Sequence, residues 1–167
     1  MKSLKDVEFW LATTIILVTI AVAILSYLRV VDLNFVVGPY RLAHWFTWIG
    51  TSFIAFYSPL YYAVKRRYPS KTKSLLRVHV FGNLFSFMLI TIHFAQQISR
   101  PQAFFPDLST GLLLYIVVPL LVASGYLHRF QLFKKMKPHT NRWLHVALTL
   151  SFYLTILVHI LQGLRLI

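Results

Sequence analysis

Long apolar stretches separated by short polar connectors dominate this chain. Five of them, approximately Val7–Val31, Ala43–Val64, Leu75–Ile98, Thr110–Phe133 and Trp143–Leu164, are long enough to cross a hydrocarbon core of roughly 30 Å, which takes about 20 apolar residues in a helix. Pro59 and Pro119 fall inside the second and fourth stretches. Neighbouring helices accommodate such prolines as kinks. The tryptophans Trp10, Trp45, Trp48 and Trp143 lie near the ends of these stretches, where an amphipathic indole prefers to sit. The pattern predicts an all-α integral membrane fold, a five-span helix bundle built by residues 1–167 as one domain. Ala21-Val22-Ala23 resembles a signal-peptidase site, but the apolar run continues through Val31, so the first span reads as an uncleaved anchor.

Charge gives the bundle a direction. Taken to the nearest span end, one side holds Lys2, Lys5, Lys65, Arg66, Arg67, Lys71, Lys73, Arg77, Arg129, Lys134, Lys135, Lys137 and Arg142, and the other only Arg29, Arg41, Arg100 and Arg165. Thirteen against four predicts a cytoplasmic N-terminus and an external C-terminus in the cell membrane. The net charge of +13 does not point to nucleic acid, because the basic residues are dispersed between apolar runs. With 57% hydrophobic residues among 167 and four acidic ones, a soluble domain could not hide its apolar surface. The absence of cysteine removes disulfides, thiolate metal sites and cysteine-held clusters. Histidine is the strong metal-ligand type present in quantity.

Four histidines stand out. His79 and His93 lie in the third span, and His145 and His159 in the fifth, each pair fourteen residues apart. At 1.5 Å and 100° per residue, a fourteen-residue step covers about 21 Å and returns to within roughly 40° of the same helix face. Spans three and five, separated by one other span, run parallel. His79 then comes level with His145 on the cytoplasmic side, and His93 with His159 on the outer side. Two facing imidazoles at one depth can clamp a planar macrocycle, so the spacing predicts two b haems between helices three and five. A lone intramembrane histidine also serves as an interhelical hydrogen-bonding group or a step in a proton path. Two pairs of equal spacing favour ligation. Zinc is disfavoured, because no Asp, Glu or Cys is positioned to complete a four-ligand shell.

The residues between the ligands extend this reading. Ser86 and Phe152 are each seven residues from both histidines of their span. Two turns bring them within about 20° of the histidine face. Phe152 is expected between the two macrocycles, opposite the small Ser86, with a lipid-facing or core position as the plainer role. Gly82 would let a porphyrin approach the backbone. Arg77 and Arg142 precede the inner ligands, where pairing with haem propionates and marking the membrane edge are compatible roles.

With R-V-H-x13-H (Arg77, His79, His93) and R-W-L-H-x13-H (Arg142, His145, His159), the chain resembles the ferric reductase-like transmembrane domain. Ferric reductases, NADPH oxidases, the STEAP metalloreductases and the haem subunit of bacterial methionine sulfoxide reductase share that domain. The resemblance implies ligands from helices three and five and electron flow from cytoplasm to exterior. Members usually have six spans; five are expected here. No Gly-rich dinucleotide fingerprint is present, so hydride from NAD(P)H would have to arrive through another protein. Where NADPH oxidases place a histidine one turn after the outer ligand, this chain has Gln97, which argues against direct superoxide production.

The expected function is transmembrane electron transfer by an oxidoreductase subunit of a larger respiratory or redox complex. Other redox subunits would be partners, with a quinol, a cytoplasmic flavoprotein or a ferredoxin as donor. One rival is a stand-alone quinol-linked reductase of ferric ion or oxygen at the outer face. Another is a haem-free membrane scaffold or small transporter with structural histidines. His44 and Arg41 open the second span on the outer side, bordering the outer haem, a substrate or simply the interface. His128 and His139 read as solvated residues of the basic loop.

Overall fold

The computed structural model describes residues 2–33, 35–101, 103, 108–132, 137–163 and 166, without the side chains of residues 2–5 and 138. Lys134, Lys135, Arg165 and the expected ends of spans four and five, Phe133 and Leu164, lie outside the described residues. Five long helices make up most of the chain: α1 (Lys2–Tyr27), α2 (Leu42–Arg67), α3 (Thr72–Ile98), α4 (Ser109–Phe130) and α5 (Pro138–Gly163). A hairpin of two short antiparallel strands, β1 (Val36–Val37) and β2 (Tyr40–Arg41), precedes α2. Gly38 takes φ +63 at the first position of its two-residue loop, the left-handed conformation that glycine adopts without strain.

Four helical stretches are long and apolar enough to cross a membrane: Asp6–Tyr27, Pro69–Ile98, Ser109–Phe130 and His139–Gly163. Their large apolar side chains are widely exposed, among them Leu17 (61%), Leu150 (59%) and Leu154 (68%). An apolar helical surface of that extent is stable against lipid and not against water. The protein is an all-α multi-pass membrane protein. Helix α2 has 26 residues, about 39 Å at 1.5 Å each, but it falls short on hydropathy. Trp45, Trp48, Tyr57, Tyr61 and Tyr62 put polar atoms on otherwise apolar rings, and hydropathy scales count those atoms against it.

The chain divides into two compact units, Met1–Pro106 and Asp107–Ile167. In the first, α3 packs against both α1 and α2. On α1 the buried residues are Ala12, Thr19 and Ser26, a seven-residue repeat that returns to one face within about 20° per step. Their small side chains let two helices approach closely. Helix α1 ends in a Schellman arrangement. Val30 N–H bonds the Leu25 carbonyl at 2.9 Å and Arg29 N–H the Ser26 carbonyl at 3.2 Å, with Arg29 itself left-handed at φ 57. The Arg29 guanidinium then donates through Nε and Nη2 to the Ser99 carbonyl at the end of α3. Gln96 Nε2 on α3 donates back to the Val31 carbonyl at 2.7 Å. These bonds satisfy terminal carbonyls that an isolated helix leaves unpaired.

The second unit is the antiparallel pair α4 and α5. Leu114, Val117, Val118, Leu121 and Ser124 are the buried residues of α4 and form one helical stripe. Gln131, left-handed at φ 52, closes α4 at Phe130, three residues short of the expected end.

Candidate functional site

The four histidines occupy matching places in the two units, two on α3 and two on α5. In the second unit, α4 seats both α5 imidazoles. Ser124 Oγ lies 2.9 Å from His145 Nδ1 and 2.8 Å from the Leu121 carbonyl oxygen. A hydroxyl has one proton and a carbonyl oxygen only accepts, so Ser124 donates to Leu121 and accepts from His145. Thr110 Oγ1 lies 3.1 Å from His159 Nδ1 and 2.6 Å from Gln162 Oε1. The amide oxygen accepts, so Thr110 in turn accepts from the imidazole. This arrangement favours, in both α5 histidines, the tautomer with the proton on Nδ1 and the lone pair on Nε2.

The same helix leaves room for the rings. A Cβ on Gly125 would stand 3.1 Å from His145 Cε1, tighter than an ordinary contact, and one on Gly111 would stand 3.4 Å from His159 Cε1. Thr110-Gly111 and Ser124-Gly125 are themselves fourteen residues apart, which in an antiparallel neighbour matches the step from His145 to His159. Reading the chain alone missed both dipeptides. The signal was there, a hydroxyl–glycine pair recurring at the ligand spacing.

In the first unit the two histidines are held by α2. His93 Nδ1 lies 3.1 Å from the Ala43 carbonyl oxygen, which again accepts and places the lone pair on Nε2. The His44 ring meets His93 edge-on, with centroids 5.1 Å apart. His79 stacks on Tyr61 at 4.7 Å and 16°, with Tyr57 next at 6.4 Å and 25°. Phe53 continues the column against Tyr57 at 4.9 Å and 10°. Positions 53, 57 and 61 share a helix face by the i, i+4, i+8 rule. Asn83 Nδ2 lies 3.4 Å from each nitrogen of the His79 ring.

The remaining expected site residues fall as follows. Phe152 has no exposed surface, and Ser86 is buried at 1%. The Ser86 backbone lies close against α2, for a Cβ on Gly50 would stand 2.9 Å from its carbonyl oxygen. The room above Gly82 holds the Phe53 ring, whose Cζ would be 2.0 Å from an added Cβ. A macrocycle approaching the backbone there would have to displace that ring. Arg77 Nε bonds Glu8 Oε1 of α1 at 2.7 Å, a partner that charge counting did not identify. Arg142 is exposed near the start of α5.

A haem needs one axial nitrogen on each side, and imidazoles whose Nδ1–H is already held suit that role. Metal-ligating histidines characteristically donate their second ring N–H to a carbonyl, carboxylate or hydroxyl, which fixes tautomer and ring orientation. Three of the four histidines meet that condition here. Among the described residues no group of three or more His, Cys, Asp or Glu side chains could hold a metal ion. Comparison of the chain with protein-family models, with curated proteins and with solved structures finds no match to any of them.

Proposed function

We propose that this chain is a five-span membrane cytochrome, the electron-carrying subunit of a larger redox complex, with two bis-histidine b haems. The observation that carries the reading is the equal spacing of the two histidine pairs, joined to the Nδ1 acceptors that hold His93, His145 and His159. The inner haem takes His79 and His145, and the outer takes His93 and His159. Bound haem supplies reversible one-electron chemistry at iron, tuned by its axial ligands and their hydrogen bonds.

The chain's own residues set the conditions. Ser124, Thr110 and the Ala43 carbonyl orient three imidazoles and raise their basicity. Tyr61 and Tyr57 flank His79 and restrict its rotation. Phe152, buried and seven residues from both α5 histidines, is the side chain assigned to the space between the cofactors. The thirteen-to-four distribution of basic residues supports a cytoplasmic N-terminus. The reductant is then a quinol, a flavoprotein or a ferredoxin on the cytoplasmic side, and the acceptor is external. The R-V-H-x13-H and R-W-L-H-x13-H patterns support a place beside the ferric reductase-like domains.

The test is a reduced-minus-oxidised visible spectrum of the purified protein, followed by four single variants. The wild-type spectrum should show two low-spin haems. His79→Ala and His145→Ala should both disturb one of them, and His93→Ala and His159→Ala the other. An iron left with one imidazole turns high-spin and loosely held. A colourless wild type, or variants that pair His79 with His159, would sink the proposal.

A further inference from the structure

The recurrence of a hydroxyl–glycine dipeptide along α4 asks for an explanation that helix packing does not supply. Packing alone would be served by any two small residues, as Ala12, Thr19 and Ser26 serve it on α1. At Thr110-Gly111 and Ser124-Gly125, the glycine faces the Cε1 carbon of an imidazole and the hydroxyl faces its Nδ1. The two dipeptides thus address the same edge of two different rings. They are separated by the step that separates the rings.

The direction of each hydroxyl is set by a further group. Ser124 is turned by the Leu121 carbonyl, a backbone atom of its own helix. Thr110 is turned by the amide oxygen of Gln162, a side chain on the exposed last turn of α5. The first arrangement cannot be altered without unwinding α4. The second depends on one replaceable residue.

We infer that α4 is a positioning helix for the α5 histidines, in which Ser124 and Thr110 hold the proton on Nδ1 so that Nε2 is presented for ligation, with Gln162 setting the direction of the Thr110 hydroxyl. The clause on ligation rests on the haem reading; the clause on the tautomer does not. Without Gln162, the Thr110 hydroxyl is released to turn and donate to His159 Nδ1, which moves the ring proton to Nε2 and blocks that nitrogen.

The experiment compares Thr110→Val, Thr110→Ser, Gln162→Leu and Ser124→Ala in the full-length protein, by haem affinity and by 15N–1H correlation spectra of labelled histidine. Thr110→Val and Gln162→Leu should each weaken retention of the His159 haem by about 10–100-fold, the range for losing such a supporting contact. Thr110→Ser should retain it, and Ser124→Ala should weaken the haem held by His145 instead. Gln162 is exposed, so its variant tests the inference even if Thr110→Val does not fold. Unchanged haem affinity in Gln162→Leu, or a Thr110→Ser variant as weak as Thr110→Val, would overturn it. If the wild type carries no haem, the haem reading fails by itself and the spectra decide the tautomer. A proton on His159 Nδ1 that moves to Nε2 in Gln162→Leu upholds the inference. A wild-type proton on Nε2 refutes it.

Discussion

Gly82 shows what one absent methyl group does between closely apposed helices. Phe53 fills the space where a Cβ would stand, and Phe53 is itself stacked on Tyr57, so the ring has little freedom to withdraw. Gly82→Ala should therefore destabilise the protein by about 1–3 kcal/mol, the usual cost of overpacking. Thermal unfolding in detergent measures it, and a companion Phe53→Leu substitution should restore part of the loss. An unchanged midpoint in Gly82→Ala would show that the column yields easily. The glycine was evident in the chain. What approaches it was not, since Phe53 lies twenty-nine positions earlier and only the α2–α3 packing brings the two together. Arg77 is a similar case. Its charge is plain, but Glu8 reaches it only once α1 lies on α3.

At the level of single helices, the small-residue seam of α1 is the feature most open to test. Thr19 is 1% exposed and sits midway along the Ala12–Ser26 line. Thr19→Leu should push α1 from α3 and lower stability by about 1–3 kcal/mol. Val18→Leu, one position away and 45% exposed, should change it by less than about 0.5 kcal/mol. Equal effects from the two would mean that the seam is not the packing face. Helix limits were readable to within a few residues because length and hydropathy are local properties. Val31 and Phe133 were placed too late, since the left-handed Arg29 and Gln131 are neither of them the glycine that usually announces a helix end. The histidine spacing was readable for the same local reason. The α4 seats were not. Ser, Thr and Gly are common in membrane helices, and their significance depends on which side chain α5 lays against them.

For the molecule as a whole, the claim most exposed to experiment is its orientation. Five crossings would place the two termini on opposite sides, and the distribution of basic residues would then put the N-terminal side in the cytoplasm. A reporter fused after Ile167 should be active only in an extracytoplasmic assay, and one inserted among Lys65–Lys73 only in a cytoplasmic assay. Cytoplasmic activity at the C-terminal fusion would remove one crossing. The pairing of histidines in the proposed function would go with it. Helix α2 is the crossing at stake, since its aromatic residues hold its hydropathy below that of the other four. Two of those aromatics, Tyr57 and Tyr61, flank His79, so part of the composition that weakens α2 as a membrane segment also steadies a candidate ligand.

The Glu8–Arg77 pair also has a consequence in time. The two residues are 69 positions apart, so during synthesis at about 5–20 residues per second the carboxylate waits roughly 3–14 s for its guanidinium to be made. Glu8 is 12% exposed in the finished fold, a setting that disfavours an unpaired charge. Until the third helix emerges, the nascent α1 holds Glu8 without the Arg77 guanidinium. Docking of α1 is in this sense a late event of biogenesis, and a ribosome stalled before Arg77 would carry an anchor that has nothing to dock against.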